Sequence, residues 1–278
     1  MDEQASDPAG WTAGRGDTWA ELQPLLDRLF LPFEPVLLDA VAAQGARQVL
    51  DIGCGAGATS LAIARQLGER GHCTGIDISP ALVARARDRA ADAGLDNARF
   101  LCADAQRQDF APDFYDAILS RFGVMFFDDP VAAFANIARA TRPGGTLACI
   151  AWRSPDDNPF MAAADRAAAD ILGPQPAPDP HAPGQFAFAD QGRVRAILDA
   201  AGWTAIDIQP IAIGCKLSPD DLRLYARRMG RVGTILPALP AAQRLRLETA
   251  LDAAFAPFLT GDVARFDAAC WLVRARRP

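Results

Sequence analysis

The residues most able to do chemistry lie in one short segment, VLDIGCGAGA, which covers residues 49–58. An apolar run leads there directly into glycines, and glycines after a strand let the backbone approach a nucleotide closely. The spacing Gly53-x-Gly55-x-x-Ala58 fits a dinucleotide fingerprint, whereas Asp51-x-Gly53-x-Gly55-x-Gly57 fits a different pattern. The segment therefore predicts a nucleotide site, and other residues must decide which nucleotide it binds.

Two acidic residues, Asp51 and Asp104, favour an adenosine-type cofactor over a dinucleotide, and a third, Asp77, is compatible with both. Asp77 ends the next apolar run, where a carboxylate suits paired ribose hydroxyls under either interpretation. Asp104, in Ala103-Asp104-Ala105, is placed to accept a hydrogen bond from an adenine amino group. Asp51 could brace the backbone amides of the loop or receive a cationic amine, and it would repel a pyrophosphate.

Alternating apolar and helical segments must position these acids. The apolar runs are continuous, as expected of strands covered on both faces, and they span 48–53, 72–77, 98–104, 115–122 and 146–153. Helical patterns lie between them at 59–67, 80–93 and 130–141, and Ser79 and Asp129 precede prolines as helix N-caps. This alternation predicts an α/β fold with a doubly wound, mostly parallel sheet.

The rest of the chain is expected to complete the sheet and to cover it. Strands at 204–213 and 267–276 would bring the sheet to seven strands. Helices are predicted at 19–31, 191–200, 218–230 and 241–255, an irregular segment at 1–17, and a proline-rich loop at 173–184. The predicted domains are an N-terminal lid and helix (1–45), a cofactor-binding core (46–153), and a last part (154–278) with a helical cap inserted at 154–190 and 214–262.

Composition narrows the class of protein. The 278 residues carry a net charge of −6, which argues against binding to a nucleic-acid backbone. The six cysteines are scattered and there are only two histidines, so we expect reduced thiols and no metal site. The acidic N-terminus does not resemble a signal or transit peptide, and no apolar run reaches the length of a membrane span. These features predict a cytoplasmic protein.

The motifs DIGCGAG, GIDIS, ADA, SRFGVMFFDDP and RPGGTL stand in the order and at the spacing of a known family. Over residues 46–153 the chain resembles the Rossmann-like, class I methyltransferases that use S-adenosylmethionine. It is similar, further, to bacterial methyltransferases of the ubiquinone/menaquinone-biosynthesis type. Trp11-x-x-Gly14-x-Gly16-x-x-Trp19 resembles the W-N-G-x-x-G-x-x-W opening of that group, although Thr12 replaces its asparagine.

The resemblance implies S-adenosylmethionine as cofactor and S-adenosylhomocysteine as product. It implies that the loop lines the methionine and ribose, that Asp77 takes the ribose hydroxyls, and that Asp104 meets the adenine. Trp11 and Trp19 could cover the cofactor as a lid. The full set of cofactor-binding positions carried over is Asp51, Gly53, Cys54, Gly55, Gly57, Asp77, Ile78, Asp104, Ala105, Ser120, Trp11 and Trp19.

Candidates for catalysis and for acceptor binding are fewer. Arg121 could orient an anionic or carbonyl-bearing acceptor, or it could pair with Asp128 or Asp129. His181 could abstract a proton, or it could be a surface residue. Residues that could contact a flat, apolar acceptor, if they are not core, are Phe122, Met125, Trp152, Phe160 and Tyr225.

The expected activity is methyl transfer to a small organic acceptor, such as an aromatic, quinone-like compound or a secondary metabolite. One alternative is a catalytically silent module that binds S-adenosylmethionine. Another is a nicotinamide-dependent oxidoreductase, which would need a hydride-handling group such as a tyrosine–lysine pair. Lys216 is the single lysine, and Tyr115 and Tyr225 are the two tyrosines, none of them suitably spaced.

Overall fold

The computed structural model describes residues 10–173 and 179–278. Within them a central sheet of eight strands is flanked by helices, which confirms the mixed α/β fold with a mostly parallel sheet. The strands are β1 Gln48–Ile52, β2 His72–Asp77, β3 Ala98–Cys102, β4 Tyr115–Arg121, β5 Thr141–Trp152, β6 Thr204–Leu217, β7 Leu259–Thr260 and β8 Val263–Arg276.

The strand order across the sheet is β3-β2-β1-β4-β5-β8-β6. The first five strands are parallel, and β8 runs antiparallel between β5 and β6. The eighth strand, beyond the seven predicted, is the two-residue β7, which pairs with the start of β8. From β1 the chain adds β2 and β3 on one side of the sheet, and it then returns to add β4 and β5 on the other side. This change of side between β1 and β4 leaves a crevice beyond the carboxyl ends of these two parallel strands.

The helices are α1 Gly14–Glu21, α2 Gln23–Phe30, α3 Glu34–Gln44, α4 Ala58–Leu67, α5 Pro80–Asp92, α6 Pro130–Ala140, α7 Pro159–Leu172, α8 Gln191–Ala200, α9 Pro219–Arg228, α10 Gly230–Ile235 and α11 Ala241–Phe255. Short 3₁₀-helices lie at Leu31–Phe33, Gly68–Arg70, Val124–Phe126, Leu236–Ala238 and Ala256–Phe258. The predicted N-caps are confirmed: Ser79 Oγ accepts from the amide of Leu82, and Asp129 Oδ1 from that of Ala132.

The N-terminal segment differs most from its prediction. The single helix expected at 19–31 is two helices that meet at Leu22, and Pro24 occupies the first turn of α2. Helix α1 already begins at Gly14, within the segment predicted to be irregular, and α3 was not predicted. Residues 1–9 of that segment, and residues 174–178 of the predicted proline-rich loop, lie outside the described residues.

Helices α7, α9, α10 and α11, called the cap helices below, lie in the two segments for which a cap was predicted, and they pack against one another. Their aromatic core centres on Phe160, which stacks on Phe266 of β8 with ring centroids 3.6 Å apart. Tyr225 and Phe255 pack around the same ring. In the ranges 10–173 and 179–278, none of the helices combines the length and the apolar character that a bilayer crossing needs.

Candidate active site

A cavity of about 790 Å³ lies beyond the carboxyl ends of the central strands. Its walls come from the glycine loop after β1, from α1 and α2, from the segment after β4, and from cap helices α7, α9 and α10. The structure brings most of the predicted site residues to this cavity: Trp11, Trp19, Asp51, Gly53, Cys54, Gly55, Asp77, Ile78, Asp104, Ala105, Arg121, Phe122, Met125, Trp152 and Tyr225.

The glycine loop needs glycine for two different reasons. Gly53 has a φ of +66°, and a Cβ there would lie 2.6 Å from the Cα of Gly123, so close backbone packing excludes a side chain. Gly55 has a φ of +55°, and the space where its side chain would stand is open. The first glycine therefore fixes the turn, while the second leaves room for a ligand beside the backbone.

The structure does not support the prediction that Gly57 lines the cofactor site. It is buried and does not belong to the cavity wall. Its φ is +82° at the N-cap of α4, and a Cβ there would meet Ala86 and Phe100 at 3.0 Å. Gly57 therefore allows α4 to pack against its neighbours and does not contact a ligand.

Asp77 organises the loop as well as the cavity. Its Oδ2 accepts a hydrogen bond from the amide of Gly55 at 2.8 Å, and its Oδ1 accepts one from the amide of Ser79 at 2.9 Å. Burial raises the pKa of this carboxyl, and the two amides oppose the rise. Each oxygen retains further acceptor capacity, which is the property that a pair of ribose hydroxyls requires.

Asp104 presents an acceptor that the protein itself does not satisfy. Its Oδ1 accepts from the backbone and side-chain amides of Gln106 at 2.9 and 3.3 Å. Within the described part of the chain, the buried Oδ2 has no hydrogen-bond donor, and the nearest cationic nitrogen, Nε of Arg107, is 3.9 Å away. A buried orphan acceptor is costly, so a ligand donor such as an adenine amino group fits this position.

Asp51, which is buried, and Arg121, which is partly buried, carry opposite charges on neighbouring strands. Asp51 Oδ2 accepts from Ser60 Oγ at 2.6 Å, and burial raises the pKa of Asp51 to about 6. Arg121 donates to the carbonyl of Phe30 at 3.2 Å and lies 5.5 Å from the centre of its ring. Burial lowers the pKa of Arg121, and Asp51, rather than the Asp128 or Asp129 considered above, is the carboxylate that opposes this most.

Ser120 corrects a second prediction, because it faces away from the cavity. Its side chain is fully buried, and its Oγ donates to the carbonyl of Ile52 at 2.8 Å. The same oxygen accepts from the amides of Gly123 and Val124 at 3.1 and 3.3 Å. Ser120 therefore ties the turn after β4 to the end of β1 and lies outside the cavity wall.

An aromatic compartment occupies the part of the cavity next to Arg121. Phe122 and Trp152 stack with ring centroids 4.4 Å apart and an angle of 7° between their planes. Phe122 has a φ of +67°, a backbone conformation rarely adopted by residues with large side chains. Met125 and Phe30 also line this compartment. A flat, apolar ligand would replace contacts with water by contacts with these rings.

The tryptophans of the N-terminal segment cover the cavity. Trp11 and Trp19 meet edge to face at 5.2 Å, and Trp11 meets Phe126 in the same way. Two ion pairs join the N-terminal helices to cap helix α9: Glu21 with Arg228 at 2.5 Å, and Arg28 with Asp221 at 2.6 Å. The N-terminal helices and α9, which both contribute to the cavity wall, are thus connected directly.

Two other predicted residues do not reach the cavity. Phe160 is fully buried in the cap core, where it stacks on Phe266, so the acceptor contact predicted for it is wrong. His181 is exposed and lies outside the cavity wall, with its backbone amide bonded to Asp179. The structure therefore gives His181 no position from which it could take a proton from a bound acceptor.

The cap contributes wall residues that the sequence did not single out. Met161, Ala164 and Asp165 lie on one face of α7, and Met229 and Arg231 come from the α9–α10 region. The hydroxyl of Tyr225 contacts Sδ of Met161 at 3.4 Å, and burial raises the pKa of Tyr225. The i, i+3, i+4 spacing of Met161, Ala164 and Asp165 would have indicated a shared helix face if a helix had been predicted at α7.

Residues 49–145 match a family model described as a methyltransferase domain. The aklanonic acid methyltransferase DauC of Streptomyces sp. (strain C5) is 34% identical over 119 residues, which are 43% of this chain and 54% of that protein. A demethylmenaquinone methyltransferase of Listeria monocytogenes serotype 4a (strain HCC23) is 27% identical over 129 residues, 46% of this chain and 54% of that protein. The chain thus spans about half the length of the curated relatives it matches.

The fold has solved counterparts. The structure of the YcgJ protein from Bacillus subtilis superposes with a TM-score of 0.57 at 21% identity, covering 88% of this chain and 97% of that one. This likeness shows the fold, while the domain match identifies residues 49–145 as a methyltransferase domain, for which S-adenosylmethionine is the cofactor. The resemblance drawn from the sequence motifs is confirmed.

Proposed function

We propose that the protein transfers a methyl group from S-adenosylmethionine to a small organic acceptor with a flat, apolar face. One observation carries the proposal: a single cavity joins a cofactor-type donor and acceptor set to an aromatic compartment. The relatives named for aklanonic acid and demethylmenaquinone are consistent with an aromatic or quinone-like acceptor. The acceptor is otherwise defined only by the shape and charge of the compartment.

Residues at three strand ends would hold the cofactor. Asp77 would take the ribose hydroxyls, and the orphan Oδ2 of Asp104 would accept from the adenine amino group. Ile78 and Ala105, which line the cavity beside these acids, would pack on the adenine. Asp51 would receive the methionine ammonium, because its carboxylate is buried with a single side-chain donor, Ser60. Trp11 and Trp19 would close over the site.

The protein's part in the reaction would be alignment and exclusion of water. The bound cofactor supplies an electrophilic methyl group on a sulfonium. Phe122 and Trp152 would hold the acceptor's face, and Arg121 would orient an anionic or carbonyl oxygen through its guanidinium. Alignment of two reactants contributes about 7–11 kcal/mol in well-oriented systems, so methyl transfer does not require a dedicated base.

The proposal is tested by binding and by turnover. Calorimetry with S-adenosylhomocysteine and, separately, NAD should show binding of the first alone. Transfer of labelled methyl groups to a panel of phenols, quinols and hydroxylated polyketides should then identify a reactive acceptor. Binding of NAD instead would support the oxidoreductase alternative. Binding of S-adenosylhomocysteine with no transfer to any member of the panel would favour the catalytically silent module.

A further inference from the structure

Asp165 differs from the other carboxylates in the cavity wall. The others are engaged by the protein: Asp27 with Arg89, Asp51 with Ser60, Asp77 with two backbone amides, and Asp104 with Gln106. Asp165 lines the same cavity with its side chain exposed to solvent, and the described residues provide it with no hydrogen bond and no ion pair. A carboxylate that faces a cavity and is not used by the fold is available to a ligand.

The neighbours of Asp165 on α7 cannot satisfy it. The positions three and four residues away on the helix are Met161, Ala162, Ala168 and Ala169. None of them carries a hydrogen-bond donor on its side chain, and none is basic. The carboxylate therefore projects from an apolar stretch of helix into the cavity.

Arg231 is the positively charged residue that interacts electrostatically with Asp165. It lines the same cavity from α10, and its positive charge opposes the desolvation that raises the pKa of Asp165. The two groups do not form a salt bridge in the described structure, so they are separated by more than contact distance. Arg231 thus favours an ionised Asp165 without occupying its oxygens.

The cap side of the cavity wall combines apolar and weakly polar residues with Arg228 and Arg231. Met161, one turn before Asp165 on α7, receives the hydroxyl of Tyr225 at 3.4 Å, and a thioether is a weak acceptor. Met229 and Val232 line the adjoining wall. A ligand here meets a hydrated carboxylate beside apolar wall residues, which suits a hydrogen-bond donor carried on a mainly apolar molecule.

We propose that Asp165 is an acceptor-binding residue whose carboxylate receives a hydrogen bond from a hydroxyl group of a flat aromatic methyl acceptor. This inference rests on the proposed function, since it places the acceptor in the cap half of the cavity. Asp165 then determines specificity by discriminating hydroxylated aromatics from their alkylated counterparts. An analogue without the hydroxyl would displace water from the carboxylate and return no hydrogen bond, so it should bind more weakly.

A matched pair of probes tests the inference. Calorimetry on protein saturated with S-adenosylhomocysteine would compare 2-naphthol with 2-methoxynaphthalene, which lacks the donor. The native protein should prefer 2-naphthol by about tenfold, the size expected of one hydrogen bond to a charged group. Asp165→Asn should reduce that preference to about threefold or less. Asp170→Asn is the control, since Asp170 is on the same helix but outside the cavity wall, and it should leave the preference unchanged.

Each other outcome overturns the inference. Equal loss of affinity for both probes in Asp165→Asn would mean a structural role, because only the hydroxyl distinguishes the probes. No preference in the native protein, or no binding of either probe, would mean that Asp165 does not receive a hydroxylated aromatic. Failure of S-adenosylhomocysteine itself to bind would refute the proposed function instead, so the two failures are distinguishable.

Discussion

The hydroxyl of Ser120 donates to the carbonyl of Ile52 at 2.8 Å, and this contact joins β4 to the last residue of β1, where the glycine loop begins. Because Ser120 is fully buried and also receives the amides of Gly123 and Val124, its role is to hold backbone in place. The position of the loop thus depends on a residue that the ligand does not touch.

Ser120→Ala should lower stability more than it lowers cofactor affinity. The change leaves a buried carbonyl and two buried amides without their partner, which costs about 1–3 kcal/mol in the free energy of unfolding. Affinity for S-adenosylhomocysteine should stay within about threefold, because the lost interactions are internal. Ser218→Ala, which removes one exposed helix cap, is the control and should cost less. A large loss of affinity with unchanged stability would show instead that Ser120 belongs to the cofactor site.

Asp77→Ala should show the opposite pattern. The change removes both the proposed ribose acceptor and the contact that positions Gly55, so affinity for S-adenosylhomocysteine should fall by about 100-fold or more. Calorimetry measures the change directly. Asp92→Ala, on the exposed end of α5, should bind normally. If Asp77→Ala keeps its affinity within about threefold, the proposed site is wrong.

Asp51 links cofactor affinity to pH. Its pKa of about 6 lies above the ordinary value of 3.8, so the folded protein binds this proton more tightly than the unfolded chain does. The contribution of Asp51 to stability is therefore greatest below the ordinary value and is lost as the pH rises through about 6. Cofactor affinity has the opposite dependence, because only the ionised carboxylate attracts the ammonium group.

Asp51→Asn should accordingly stabilise the free protein and weaken cofactor binding. The expected gain in the free energy of unfolding near neutral pH is about 1–3 kcal/mol, since an ionised group is no longer buried. In the native protein, affinity for S-adenosylhomocysteine should decline as the pH falls from about 8 to about 5, and this decline should be absent in the variant. Parallel pH profiles for the two proteins would show that Asp51 braces the loop and does not bind the amine.

The backbone of Phe122 can be tested with a pair of substitutions. Both Phe122→Ala and Phe122→Gly abolish the stack on Trp152, but only glycine adopts a φ of +67° without a steric penalty. The glycine variant should therefore be more stable than the alanine variant by about 1 kcal/mol, measured by denaturant unfolding. Equal stability, or a more stable alanine variant, would show that the strained backbone relaxes when the ring is removed.

The ion pair between Glu21 and Arg228 should control exchange of the cofactor product. It joins the N-terminal lid to the cap, so Glu21→Arg should speed dissociation of S-adenosylhomocysteine by a few fold, about the effect of an exposed ion pair. The double exchange Glu21→Arg with Arg228→Glu should restore slow dissociation. Stopped-flow tryptophan fluorescence measures both rates. Failure of the double exchange to restore the rate would mean that the contact does not hold the lid closed.

Local sequence was sufficient for the core of the site. Asp77 and Asp104 follow apolar runs, and the carboxyl ends of parallel strands share one edge of the sheet, so these acids and the glycine loop had to converge. The N-caps Ser79 and Asp129 likewise depend only on neighbouring residues. Interactions of this kind are encoded within a few positions of the chain, which is why a pattern could predict them.

Tertiary structure decided which way each side chain faces and which cap residues line the cavity. Ser120 and Arg121 are adjacent on β4, and their side chains point to opposite sides, so only one of them reaches the cavity. Gly57 was assigned as part of the glycine motif, and Phe160 and His181 were assigned by the chemistry of their side chains, yet packing placed the first two in the core and left the third at the surface. Asp165 meets the cavity only because α7 packs beside α9 and α10, a contact between segments distant in sequence. Long-range packing leaves no local period in the sequence, so the part of the cavity wall around Asp165 became visible only in the folded chain.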